Sequence, residues 1–121
     1  MWSQLAGDQV DAQAWAQRLN DELQRYVPEL VAAYAPERII LFGSAAQGQA
    51  RNWSDLDLVV VCETGLRFLD RTKDVLRRLR PKVGLDVLVY TPEEFDRLCR
   101  LRPFFQREVL SQGQVLYERP C

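Results

Sequence analysis

Leu41-Phe42-Gly43-Ser44-Ala45-Ala46-Gln47-Gly48 and, beyond it, Ser54-Asp55-Leu56-Asp57-Leu58-Val59-Val60-Val61 are the two stretches whose reading decides the fold. Ile39-Ile40-Leu41-Phe42 is a short buried strand that Gly43 stops, and Ser44 is the expected N-cap of a short helix through Gln47. Asp55 to Val61 is a second strand, ending in a continuous aliphatic run. Ten residues separate Ser44 from Asp55. Side chains two apart on a strand share a face, so Asp55 and Asp57 project together from a rigid, buried support.

Two carboxylates held that close repel unless something positive lies between them. Hard oxygen ligands suit Mg2+, which takes one or two carboxylates and completes its shell with substrate phosphates. Gly43 allows a tight turn with close backbone approach, and Ser44 adds a hydroxyl and free N–H groups that favour an anion. A third carboxylate, Asp86, stands in the apolar run Val83-Gly84-Leu85-Asp86-Val87-Leu88-Val89, where a partner is needed to account for it. Each piece has an ordinary reading by itself. An Asp-x-Asp is often a solvated strand end, Gly-Ser a turn, and a lone aspartate a satisfied structural carboxylate. Order, spacing and strand context together point to a metal site beside a phosphate site, and so to phosphoryl or nucleotidyl transfer.

Outward from this centre, Asp8 to Tyr26 reads as an amphipathic helix through Trp15, Leu19, Leu23 and Tyr26, which Pro28 kinks or follows with a second short helix ending near Tyr34. Leu66, Leu69, Thr72, Leu76 and Leu79 mark the inner face of a helix closing before Pro81, and Leu85 to Tyr90 is a third strand. Thr91-Pro92-Glu93-Glu94 has the chemistry of a helix start, with Phe95 and Leu98 facing inward. Pro103 breaks that helix, another runs from Phe104 to Gln112, and Val115-Leu116-Tyr117 forms a last edge strand. The expected fold is α/β (α+β): a small mixed sheet of about four strands with helices packed on it. Residues 1–121 fit a single domain, with an N-terminal helical segment over 1–34 and a core over 36–117.

Composition narrows the function. A net charge of −1 gives no chain-wide field for nucleic acid, and direct nucleic-acid binding is not expected. The basic residues of the helix from Leu66 to Arg80, namely Arg67, Arg71, Lys73, Arg77, Arg78 and Arg80, read first as a solvated face and second as a contact for phosphates or an acidic partner. Cys62, Cys99 and Cys121 lack metal or disulfide spacing, which favours a reducing cytoplasm. No signal peptide or membrane span is expected. Histidine is absent, so any general base, and any metal ligand other than a thiolate, must come from carboxylates or weaker groups. Trp53, close before Asp55, is a candidate to stack on a base.

Gly43-Ser44, ten residues, then Asp55-Leu56-Asp57 resembles the signature of the polymerase-beta-like nucleotidyltransferase superfamily. The surrounding segment is similar to its smallest members, the minimal nucleotidyltransferases, antitoxin halves of HEPN–MNT toxin–antitoxin pairs. The resemblance runs from about Pro36 to Tyr117 and departs at Gln47, where many relatives carry arginine. It implies that Asp55, Asp57 and Asp86 are catalytic and bind Mg2+, two ions with nucleotide present, and that Gly43 and Ser44 hold the triphosphate of ATP. It further implies transfer of AMP to a hydroxyl of a protein partner, a tyrosine of a HEPN-type ribonuclease toxin. The alternative is a non-catalytic module that neutralises its partner by complex formation. Transfer to an antibiotic or RNA is the weaker third expectation, since such relatives add an acceptor domain.

Overall fold

Continuous apolar strands need cover on both faces of a sheet. The two such runs form β1 (Arg38–Phe42) and β2 (Leu56–Val61). They hold the centre of a four-stranded mixed sheet, flanked by β3 (Leu85–Tyr90) and β4 (Gln114–Glu118) in the order β3-β2-β1-β4. β1 is antiparallel to β2 and β4, whereas β2 and β3 are parallel. This computed structural model describes the backbone of residues 2–47 and 55–120, with side chains from residue 13 onward. Gly48, Trp53, Ser54, Cys121 and the side chain of Trp2 lie outside the described residues.

Helices cover both faces. On one, α1 (Trp2–Tyr34) and α2 (Phe68–Leu79) bring Leu19, Tyr26, Leu30, Val75 and Leu79 against Ile39, Leu41, Leu58, Val60, Val87 and Val89. On the other, α3 (Pro92–Leu101) and a π-helix (Phe105–Ser111) set Phe95, Phe105 and Val109 on Ile40, Val59 and Val61. Parallel neighbours require a crossover connection, and α2 supplies it between β2 and β3. The capping box at Thr91 forms as expected: the Glu94 N–H donates to Thr91 Oγ1, and the Thr91 N–H donates to Glu94 Oε1.

Four local expectations are corrected. Pro28 lies inside one continuous helix, so of the two expectations for it a second short helix is ruled out. It is exposed, so water can satisfy the carbonyl it leaves unbonded, while the fully buried Tyr26 and Leu30 hold the helix on the sheet. After Gly43 the described residues form two overlapping turns, Ala46 N–H to Gly43 O and Gln47 N–H to Ser44 O, and not a helix. The segment expected as a helix over 104–112 is π-helical. Finally, α2 starts at Phe68, leaving Leu66 exposed before it, and is rotated so that Arg71 is buried while Leu69 is exposed.

That rotation has a cause at the sheet edge. β3 is an edge strand, and its outward carbonyls need donors. Thr72 Oγ1 donates to Val87 O at 3.0 Å, and Arg71 Nη1 to Val89 O at 3.2 Å. Arg71 also donates through Nε to Leu66 O and pairs with Glu94 Oε1 at 2.7 Å, tying α2, β3 and α3 together. At the far end of α2, buried Glu22 accepts from Arg25, Tyr26 and the Lys82 N–H. Burial alone pushes its carboxyl up, but these bonds outweigh it and bring it down to about 2. Arg71→Ala strands two acceptors and a carboxylate, and should cost about 2–4 kcal/mol in urea unfolding, less than a fully buried pair because Glu94 is partly exposed. A loss of only a few tenths would assign Arg71 to an ordinary surface pair.

Candidate active site

Alternation along β2 and β3 puts Asp57 on the face of Val59 and Val61, and Asp86 on the face of Leu88 and Tyr90. This is the face that α3 and the π-helix cover. Asp57 and Asp86 lie toward the strand starts; Asp57 is half-buried and Asp86 exposed. The exposure of Asp86 corrects the buried setting expected from its apolar neighbours. Those neighbours face the other side or pack further along a strand that is at the sheet edge among the described residues.

Register brings the site residues into a row. Phe42 of β1 is opposite Asp57, and Asp57 is beside Asp86. Strands in a sheet are about 4.8 Å apart, so the two carboxylates are immediate neighbours. Gly43 follows Phe42 at φ +78°, in the left-handed region, and a Cβ there would overlap the Asp57 carboxylate. Only glycine lets the turn close over that aspartate. Asp55 is exposed just before β2, where the Leu56 N–H donates to Gly84 O at 2.9 Å. A Cβ on Gly84 would overlap the Asp55 carboxylate in the same way. Ser44 lies exposed in the turn after Gly43, with Gln47 at its end.

The row is electrostatically unfinished. Burial first, then the charges of Asp86 and Asp55 and a hydrogen bond with Asp86, push the Asp57 carboxyl up to about 6. Like carboxylates this close share a proton or take a cation. Among the described residues, no three of His, Cys, Asp and Glu converge closely enough to hold an ion unaided. The Asp57–Asp86 pair, with Asp55 next along the chain, is therefore a donor set that a hard cation would complete with ligand oxygens. A glycine turn one strand away leaves room beside that donor set for a ligand carrying phosphate oxygens.

Comparison with known proteins agrees. A family model described as polymerase beta, nucleotidyltransferase, matches residues 24–120. The chain belongs to the polymerase beta nucleotidyltransferase family. A protein of Methanocaldococcus jannaschii, provisionally named a protein adenylyltransferase, is 31% identical over 105 residues, covering 82% of this chain and 100% of that protein. The crystal structure of a provisionally named nucleotidyltransferase from Sulfolobus solfataricus superposes at a TM-score of 0.65 with 22% identity, covering 90% of this chain and 88% of that one, which shows the shared fold. A toxin–antitoxin structure with AMP-PNP aligns at a TM-score of only 0.46 and 19% identity over 86% and 73% of the chains, too distant to bear on this one.

In this nucleotidyltransferase two site features escaped the sequence reading. Gly84 was legible only as part of an apolar run, although a glycine two residues before a strand carboxylate was available as a signal. A cleft of about 550 Å3 opens beside Asp57 and Asp86, walled by Phe68, Leu69 and Leu76 of α2 and by Leu85 and Leu88 of β3. No local pattern marks it, because α2 and β3 meet there only after folding. Gly84→Ala should lower transfer by about 10- to 100-fold while the melting temperature stays put. The added methyl would displace an exposed carboxylate, not a core group. Unchanged turnover would show that the position of Asp55 is not critical.

Proposed function

We propose that this chain is a cytoplasmic, Mg2+-dependent protein adenylyltransferase that moves AMP from ATP to a hydroxyl of a partner protein and thereby acts as an antitoxin. The partner we infer is a HEPN-type ribonuclease toxin, modified on a tyrosine. The observation that carries the reading is Asp57 and Asp86 side by side on neighbouring strands, with the Gly43 turn closing over Asp57 and Asp57 crowded by like charge. The provisional name of the M. jannaschii relative supports a protein acceptor. Residues 1–121 form one catalytic unit in this reading, the core over 36–117 carrying the site and α1 bracing the sheet.

Asp55, Asp57 and Asp86 would hold the metal, and their all-oxygen chemistry fits it. Bound there, Mg2+ would neutralise the carboxylates and polarise the phosphate oxygens. The Gly43-Ser44 turn would hold the triphosphate through backbone N–H groups and the Ser44 hydroxyl. Asp86, the exposed member of the pair, would accept the proton of the attacking hydroxyl as its oxygen bonds to the α-phosphorus and pyrophosphate leaves.

Co-expression with the neighbouring gene's product, followed by intact mass measurement, tests this. AMP-sized additions on the partner with wild type, and none with Asp55→Asn, are expected. Equal protection by both proteins without added mass would replace catalysis by masking, the non-catalytic alternative.

A further inference from the structure

Of the sixteen basic residues only Lys73 and Lys82 are lysines; the rest are arginines. Lys73 lines the cleft that holds Asp57 and Asp86. Its neighbours on α2 fix it there. Arg71 donates to Val89 O and Thr72 to Val87 O, which sets the rotation of the helix against β3. Leu69, Lys73 and Leu76, at i, i+4 and i+7, then share the stripe that walls the cleft. Among the described residues, Lys73 is the one cation in that lining, and the turn residues from Gly43 to Gln47 carry no positive charge.

An ammonium facing two carboxylates would ordinarily close on one of them as an ion pair. Lys73 does not: it is exposed and, among the described residues, makes no ion pair at all. A hard cation at the aspartates and an ammonium on the opposite wall are joined by an anion with several oxygens, and a phosphate is such an anion. In the reading above, the triphosphate rests at the Gly43-Ser44 turn and the attacking hydroxyl meets Asp86. The phosphorus under attack then lies between them, beside Asp57 and within the cleft. Lysine suits that place, since its compact charge on a long, flexible stem can follow an oxygen as charge builds on it. We propose that Lys73 is a catalytic residue of this site, its ammonium meeting the non-bridging oxygens of the α-phosphate from the α2 wall and offsetting the charge that gathers on them during transfer. This rests on the AMP-transfer reading. Lys73 stays protonated throughout, forms no covalent bond and takes no proton from the attacking hydroxyl.

Two lysines make the full chain its own reporter. Labelling with acetic anhydride, read by peptide mass spectrometry, should modify Lys73 several-fold more slowly once α,β-methylene-ATP and Mg2+ are saturating. Lys82, outside the cleft, should be labelled equally with and without them. Lys73→Ala replaces an exposed residue and should keep the wild-type melting temperature. It should lower single-turnover AMP transfer to the neighbouring gene's product by about 10²-fold and leave α,β-methylene-ATP affinity within about threefold. Lys73→Arg should recover part of the loss, and Lys82→Ala should transfer like wild type. Labelling of Lys73 that nucleotide does not slow would overturn the proposal. So would nucleotide affinity falling in step with transfer in Lys73→Ala, which would make Lys73 a ground-state tether. Protection of Lys73 with no AMP transferred by wild type would leave the phosphate contact standing and sink the transfer reading instead.

Discussion

Asp57→Asn should abolish nucleotide transfer, by about 10³-fold or more, and leave a metal-free protein at least as stable as wild type at neutral pH. The first half follows from position. Asp57 is the middle member of the row, touching the Gly43 turn on one side and Asp86 on the other. The second half follows from its surroundings, since a carboxyl raised to about 6 favours the folded state only while protonated. That contribution is whole below the ordinary aspartate value and is lost as pH rises through about 6. Wild type and variant should therefore melt together near pH 4 and separate by pH 7.5, the variant ahead by about 1–2 kcal/mol after allowing for solvent screening. Excess Mg2+ with nucleotide should close that gap for wild type alone. Thermal melts at the two pH values, with and without Mg2+, check the claim. A variant less stable than wild type at pH 7.5 would mean that Asp57 has a structural partner unseen in this arrangement.

Asp86→Asn should cost turnover far more than nucleotide binding. Asp86 is exposed at the β3 edge, on the acceptor side of the row and away from the Gly43-Ser44 turn. Removing a general base typically costs about 10²–10⁴-fold, and a group that acts only in the transition state leaves ground-state affinity little changed. Calorimetric titration of ATP with Mg2+ and single-turnover transfer separate the two quantities. Equal turnover, or complete loss of binding, would move Asp86 out of the proton-accepting role. The contrast with Asp57→Asn is itself informative: both variants should lose transfer, but Asp57→Asn removes the crowded carboxyl outright, whereas Asp86→Asn removes only one of the charges that raise it.

Much of this was legible before folding. The apolar runs Ile39 to Phe42 and Leu58 to Val61 had to be central strands, because their lack of alternation calls for cover on both faces. Gly43 and the Thr91-Pro92-Glu93-Glu94 start are local backbone chemistry, and φ +78° and the capping box follow from those residues alone. The aspartates were found because strand periodicity predicted Asp55 and Asp57 on one face, although β2 itself begins at Leu56. Strand order is different in kind. That β3 lies at an edge follows from pairings between distant segments, and it exposes Asp86, turns Arg71 inward to the free carbonyls of β3, and leaves Leu69 outward. Continuity of α1 through Pro28 likewise depends on burial of Tyr26 and Leu30 against the sheet, which outweighs a local breaker. Local sequence determined which residues could do chemistry, because backbone dihedrals and side-chain alternation are short-range. Tertiary structure alone decided that Gly84 shelters Asp55 and that an apolar cleft opens beside Asp86, because both arise where segments far apart in the chain are brought into register.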